Sequence, residues 1–321
     1  MNTQRTTKSK RDNVPSLIEL FDRFNTDEAA RLHLESIRWA SGVVCPHCQN
    51  SDQAKFSIIA ENKSKKVRPG LRCCLECRKQ FTVTVGTIFE SSHIPLRKWV
   101  IAWHLLAASK KGISSLQIQR MLDLGSYRTA LFMMHRIRFA LKHPVFSEKL
   151  AGPVEIDETY VGGKIRTGFG KRGKPGPNSN KTPVVSLVSR AGEKRSMVMQ
   201  RVNGKNIKAA VYKHVADGST IMTDQSSVYC SVGRNFRRKS VNHSLGEYAR
   251  GEVHTNTVES SFSLLKRGVI GTFHNISKHH LHLYLAEFDF RWNLRKTSDG
   301  ERTTAGIRMC EGKRLQYSAM H

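Results

Sequence analysis

Two sets of side chains in this sequence are spaced for metal chemistry. Cys45-Pro46-His47-Cys48 and Cys74-Leu75-Glu76-Cys77 are paired C-x-x-C motifs with residues 49–73 between them. Two thiolates three positions apart on a tight turn bind one metal, and two such turns complete a closed tetrahedral site with no position open to water. The spacing therefore predicts a structural Zn2+ held by Cys45, Cys48, Cys74 and Cys77. The stretch between the pairs exceeds the usual interval for such sites, so the zinc ribbon is expected to carry a long hairpin. Cys73 competes for register, but only Cys74 keeps the C-x-x-C interval. His47 is the alternative ligand, and Cys230 and Cys310 read as ordinary thiols.

The second set is acidic. Phosphoryl transfer assisted by two divalent ions needs carboxylates that hold them about 4 Å apart. Asp157 follows Val154 and Ile156 on one apolar run, and Asp224 follows Thr220-Ile221-Met222-Thr223 on another. A carboxylate at the end of an apolar strand is costly to bury without a partner, although either Asp alone reads as a strand-end turn residue. Glu259 changes that balance. It stands near the start of a helix in which Val258, Phe262 and Leu265 form a buried stripe. Lys266 lies two turns farther along the same face. A Glu ligating metal would then have a cation beside bound nucleic acid; taken alone, the pair reads as a solvated helix face. Asn256 is expected to cap this helix, and Glu158 to point away from Asp157 across the strand.

These residues need elements to position them. Residues 14–40 read as two short helices, with Ser16 and Glu19 as a capping box and Ala30, Leu34 and Ile37 at helical spacing. Gln80–Val85 alternates like a strand. Residues 96–141 read as three helices broken at Gly112–Ser115 and Leu124–Ser126, where serines are placed as caps. A short helix, a turn with Gly and a longer helix bearing Arg128, Arg136 and Arg138 look like a helix-turn-helix; solvated arginines on a helical linker are the alternative. After Gly152-Pro153 the pattern is α/β: strands at 154–157, 183–189 and 196–202, a helix at 206–215, strands at 219–223 and 239–243, then the Glu259 helix. Arg166–Lys181, rich in Gly and Pro and free of acids, reads as a flexible basic loop. The fold class is α+β, in several domains: 1–40 basic tail and N-terminal helices, 41–90 zinc ribbon, 91–150 helix-turn-helix-like DNA-binding region, 151–300 catalytic α/β domain, 301–321 tail.

Charge indicates the partner. Lys plus Arg total 53 against 26 Asp plus Glu, a net charge of +27. Such an excess seeks polyanions, and nucleic acid gains most because each neutralised phosphate releases a counterion. No run approaches the roughly 18 apolar residues of a membrane helix, and residues 1–13 carry no apolar segment typical of a secretory signal. A cytoplasmic protein without a membrane partner is expected. His274, His279, His280 and His282 lack matching carboxylates and read as surface or phosphate-contacting groups. Arg234, Arg237, Arg238 and Lys239 read as a phosphate-facing loop, and Arg291 and Arg295 around Trp292 as core packing combined with backbone contact.

The segments EIDETYVGGK, TDQSSVY and HTNTVESSFSLLKRGVIGTFHNISKHHLHLYLAEFDFRWNLR, together with CPHC…CCLECRKQFTVTVGTIFESSHIPLRKW, resemble the zinc-ribbon DDE transposases of bacterial insertion sequences, over residues 41–300 or so. The resemblance implies a ribonuclease H-like catalytic domain, with Asp157, Asp224 and Glu259 as the acids holding Mg2+ or Mn2+ and Lys266 as their basic companion. It implies a ribbon and helical region that bind the element's terminal inverted repeats, cleavage at the element ends, and attack of the freed 3′-OH on target DNA. Pairing two ends calls for a homo-oligomer, at least a dimer, working at the bacterial nucleoid. Three alternatives remain at this stage, one of them a transposase copy inactive through lesions elsewhere. A zinc-ribbon regulator would not need the three acids, and a related nuclease would cut without joining.

Overall fold

The computed structural model describes residues 17–62, 64–65, 67–142, 148–163, 181–233, 235–242, 246–247 and 249–316. The expected capping serine Ser16, the basic N-terminal tail, Arg234 and all of the expected basic loop but Lys181 lie outside them. Two units form: Met1–Ala108 with Ile118–Ala140 and Lys296–His321, and Ser109–Gln117 with Leu141–Arg295.

In the first unit, α1 (Leu17–Arg23) and α2 (Asp27–Arg38) follow the predicted pair. The Thr26 side chain accepts from Ala29 N at 3.2 Å, satisfying one of the amides a helix start leaves free. Ala30, Leu34 and Ile37 form the buried stripe. The ribbon is an antiparallel sheet of β1 (Phe56–Ile58), β2 (Arg72–Cys74) and β3 (Gln80–Phe81), in that order. A bridge between Asn62 and Val67 prolongs the β1–β2 pairing into the expected long hairpin. The predicted strand at Gln80–Val85 is cut to two residues. Beyond Phe81 the chain makes successive turns, Val85 N to Thr82 O and Thr87 N to Thr84 O. The Thr87 hydroxyl donates to Thr84 O, and Thr82 and Thr84 bond to each other through their hydroxyls; such local bonds compete with a strand ladder.

Next come α3 (Leu96–Ala108), α4 (Ser115–Met121) and α5 (Tyr127–Ala140). Ser114 and Ser126 accept from Gln117 N and Thr129 N, both at 3.1 Å, as the expected caps. The arginines of α5 divide, and this corrects the sequence reading. Arg128 is exposed, but Arg136 and Arg138 are buried. Arg136 lies over the rings of Trp99 and Phe132 and donates to Glu90 O at 2.6 Å; burial lowers its pKa to about 10. Two of the three cations proposed for DNA contact are thus spent inside the helical core.

The second unit is built on a five-stranded sheet. β4 (Pro153–Val161), β5 (Thr182–Ser189) and β6 (Lys194–Val198) form an antiparallel meander. After α6 (Gly204–His214), β7 (Thr220–Asp224) runs parallel to β4, and β8 (Arg237–Val241) parallel to β7. The sheet order is β6-β5-β4-β7-β8. A small hairpin, β9 (Ala249–Arg250) and β10 (Val253–His254), leads into α7 (Asn256–Gly268), a π-helical turn at Val269–Phe273, and α8 (Leu281–Asn293).

Strand alternation gives this sheet two apolar faces. Val154, Ile156, Leu187 and Ile221 pack with Ile207 and Val211 of α6. Val184 and Val188 pack on the other side with Val258, Phe262 and Leu265 of α7 and Leu281 and Leu285 of α8. Gly268 ends α7 where a Cβ would stand 2.4 Å from the Phe288 ring and 2.8 Å from Lys111 O, so this approach of helix to neighbour excludes any side chain. Side chains of α8 cover the β6 edge. Asp289 accepts from Ser196 N at 2.6 Å and Ser196 Oγ at 2.7 Å, and Asn293 brackets Lys194 by accepting from its N–H and donating to its carbonyl. An edge strand so occupied offers little to a foreign strand.

The chain then returns to the first unit as α9 (Asp299–Arg308), started by a capping box of Ser298 and Glu301. It packs on α2 and α3, and Arg302 donates to Ala107 O at 2.8 Å.

Candidate active site and metal centre

The ribbon brings its four cysteines together by two matching turns. After each C-x-x-C a residue takes positive φ, Gln49 at 62° and Arg78 at 57°. Cys45 N donates to Asn50 O at 2.9 Å and Cys74 N to Lys79 O at 3.0 Å, so each turn is closed in the same way. Cys45 Sγ lies 3.7 Å from Cys77 Sγ and Cys48 Sγ 3.7 Å from Cys74 Sγ, and all four lie within 4.8 Å of one another. Four thiolates at about 2.3 Å from one tetrahedral ion stand about 3.8 Å apart, so the donor set fits Zn2+. The backbone amides of Cys77 and Glu76 lower the Cys74 thiol to about 7, whereas burial and the neighbouring thiols push Cys48 and Cys77 up, as expected where four sulfurs crowd together. Phe81, Trp39 and Phe56 pack around Cys45 and Cys74. His47 and Cys73 stand outside this cluster.

The acids converge at the other site through the sheet. The β4–β7 register pairs Glu155 with Met222; carried two residues on, it sets Asp157 beside Asp224 on the face that α7 covers. Asp157 is raised to about 7, first by burial, with the carboxylates of Glu158, Asp224 and Glu259 adding to the shift. Asp224 of β7 and Glu259 of α7 therefore stand near enough to Asp157 of β4 to act on its charge. Each is held locally: Asp157 accepts from Glu158 N at 2.8 Å, Asp224 from Ser226 N at 3.0 Å, and Glu259 from the Thr255 hydroxyl at 2.9 Å. All three are half-buried carboxylates, the oxygen-donor type that Mg2+ or Mn2+ takes, and a divalent cation bound there would offset their mutual repulsion. Lys266 is exposed and, with Lys181 and Tyr160, lines a cavity of about 420 Å³ at the end of β4.

Glu158 faces the opposite side, as strand alternation predicts. The Tyr229 hydroxyl donates to its carboxylate, and burial raises both groups. Asn256 is exposed and is the first residue of α7 rather than its cap, which corrects the expected role; its own N–H donates to His254 Nδ1 at 3.3 Å, and Thr255 makes no side-chain cap. The next two amides are capped by Glu155. Its carboxylate, wholly buried, accepts from Thr257 N at 2.8 Å, Thr257 Oγ1 at 2.8 Å and Val258 N at 2.9 Å. Arg190, just past β5, pairs with it at 2.6 Å. Sequence reasoning overlooked both residues. The available signal was a second acid two positions before Asp157, hence on the same face of an apolar strand.

Three comparisons bear on this geometry. Residues 25–80 match the transposase zinc-ribbon domain and residues 149–293 the ISXO2-like transposase domain. A protein of Halobacterium salinarum, described as an uncharacterized protein in transposable element ISH50, is 31% identical over 281 residues, covering 84% of this chain and 91% of that protein. The chain belongs to the ISXO2-like transposase family.

In this transposase the zinc-ribbon match holds all four clustered cysteines, and the ISXO2-like match holds Asp157, Asp224, Glu259 and Lys266. The remaining basic groups fall at several places. Arg237 and Lys239 are exposed, whereas Arg238 turns in to donate to Thr223 Oγ1 at 3.1 Å and Asp224 O at 3.0 Å, bracing the strand end that carries an acid. His274, His279 and His282 are exposed, and His280 is half-buried. Arg291 is buried against Glu287, and Arg295 lies over Trp292 and donates to Gly192 O at 2.9 Å. Among the described residues, no helix is long and apolar enough to cross a membrane.

Proposed function

We propose that this transposase cuts DNA at the ends of its insertion sequence and joins the freed 3′-OH to target DNA, with Asp157, Asp224 and Glu259 as the acids that hold two divalent ions, Mg2+ or Mn2+. The supporting observation is that burial raises Asp157 of β4 to about 7 and that Asp224 of β7 and Glu259 of α7 stand near enough to add to that shift. The strand order β6-β5-β4-β7-β8, antiparallel then parallel, supports a ribonuclease H-like reading of this domain. The ions, when bound, supply Lewis-acid polarisation at the attacking and leaving oxygens.

The chain's own residues do the rest. The three acids fix where the scissile phosphate sits, and Lys266 holds a neighbouring phosphate from the exposed side of α7. Water attacks the phosphorus at the element end, one P–O bond forms as the P–O3′ bond breaks, and the 3′-OH is released. That hydroxyl then attacks a target phosphodiester, again exchanging one P–O bond for another, so no covalent protein–DNA intermediate is required. Cys45, Cys48, Cys74 and Cys77 hold a structural Zn2+. The ribbon (41–90) and helical region (91–150) bind the terminal inverted repeats, the catalytic domain spans 151–300, and at least a dimer pairs the two ends, in the cytoplasm at the nucleoid.

The test uses full-length protein with Mg2+ or Mn2+, labelled element ends and a target plasmid, with Glu259→Ala beside the wild type. Metal-dependent cleavage and joining, lost by about 10³-fold or more in the variant, is expected. Cutting without joining would instead indicate a nuclease, and tight binding without cleavage by either protein a regulator.

A further inference from the structure

We infer that Glu155 and Arg190 are positioning residues for the third carboxylate, a role that rests on the metal-binding reading above: they set where Glu259 stands relative to Asp157 and Asp224. A helix start leaves four amides without partners. Neither Thr255 nor Asn256 supplies a cap to α7, and its second and third residues, Thr257 and Val258, give their N–H groups to one buried carboxylate on β4. A negative charge there is also favoured by the helix dipole.

The path between the acids is short. Glu259 directly follows Val258, Val258 N is bonded to Glu155, and Glu155 stands two residues from Asp157 on the same face of the same strand. Arg190 closes the arrangement. It pairs with Glu155 and donates to Glu252 O at 3.2 Å and His254 O at 3.4 Å, which ties the segment leading into α7 to the end of β5. His254 Nδ1 lies 3.4 Å from the same carboxylate. One ion pair, with its carboxylate buried and its guanidinium half-buried, thus joins β4, the end of β5 and the start of α7. Groups behind metal ligands commonly change metal affinity by about 10–100-fold when altered.

The test is a double-mutant cycle read by Mn2+ binding to the full-length protein in calorimetry, with no DNA present. Glu155→Gln keeps the shape and removes the charge; it is expected to weaken Mn2+ binding by about 10-fold or more in an otherwise wild-type chain. In a Glu259→Gln background it is expected to add less than about 2-fold, because it acts through Glu259. Thr257→Val, which removes only the hydroxyl bond to Glu155, is expected to follow the same pattern at about 3-fold, and carries the cycle if Glu155→Gln does not fold. Equal losses in both backgrounds, or no loss in either, would overturn the assignment and leave Glu155 a structural residue. Wild-type protein that binds no Mn2+ would overturn the metal-binding reading itself, and that outcome is seen without any variant.

Discussion

Glu155 and Asp157 are acids on one face of one strand, and burial treats them differently because their neighbours differ. Glu155 has Arg190, two amides and a hydroxyl around it. Asp157 has the N–H of Glu158 and a set of like charges, and its pKa rises to about 7. The first is satisfied by the fold, whereas the second is not, and a cation bound beside it would offset that cost, as the proposed metal site requires. A different residue should respond to pH. His33 packs on Phe24 with ring centroids 4.8 Å apart, and burial, aided by Arg23, lowers its pKa to about 4 from 6.5. Its folded pKa lies below its unfolded one, so the stabilisation is present above about 6.5 and is lost as pH falls towards 4. Thermal unfolding of wild type between pH 7 and 4 should show a fall in stability, and His33→Leu should flatten it.

Elements differed in how much their own residues revealed. The order of β4 to β8 and the α7 stripe were legible because alternation and 3.6-residue periodicity are local. Three features were not. Gln80–Val85 alternates like a strand, but threonine hydroxyls offered the backbone local partners. Arg136 and Arg138 look like DNA contacts until α5 is seen to bury the face that carries them. The α7 cap lies about a hundred residues away, where no window around Asn256 can find it. Two predictions belong here. Cys48→Ser, or a strong chelator, should release zinc and unfold the ribbon, since β1–β3 have only a small apolar cluster of their own; a zinc-indicator dye and circular dichroism would show both. Asp289→Ala should remove the bonds to the β6 edge and leave Lys194 buried without its ion-pair partner, lowering stability by about 3 kcal/mol, measured by denaturant titration. Pairing Lys194→Met with Asp289→Leu should restore most of that loss.

For the whole molecule, a charge of +27 makes salt the governing variable of DNA binding. Affinity for any duplex should fall by about 10³-fold or more between 50 and 200 mM salt, read by fluorescence anisotropy, if six or more phosphates are neutralised. A slope near zero would contradict that expectation. The division of the chain has another outcome. The unit that carries the ribbon is made of three segments, the last beginning at Lys296, and α9 from that segment packs on α2 and α3. On the ribosome the ribbon is made before the catalytic sheet, yet the helices of its unit wait for α9 until that sheet has been synthesised. Premature termination anywhere in that sheet therefore releases a ribbon whose supporting helices lack their last partner. A unit begun before the catalytic sheet is thus completed only after it.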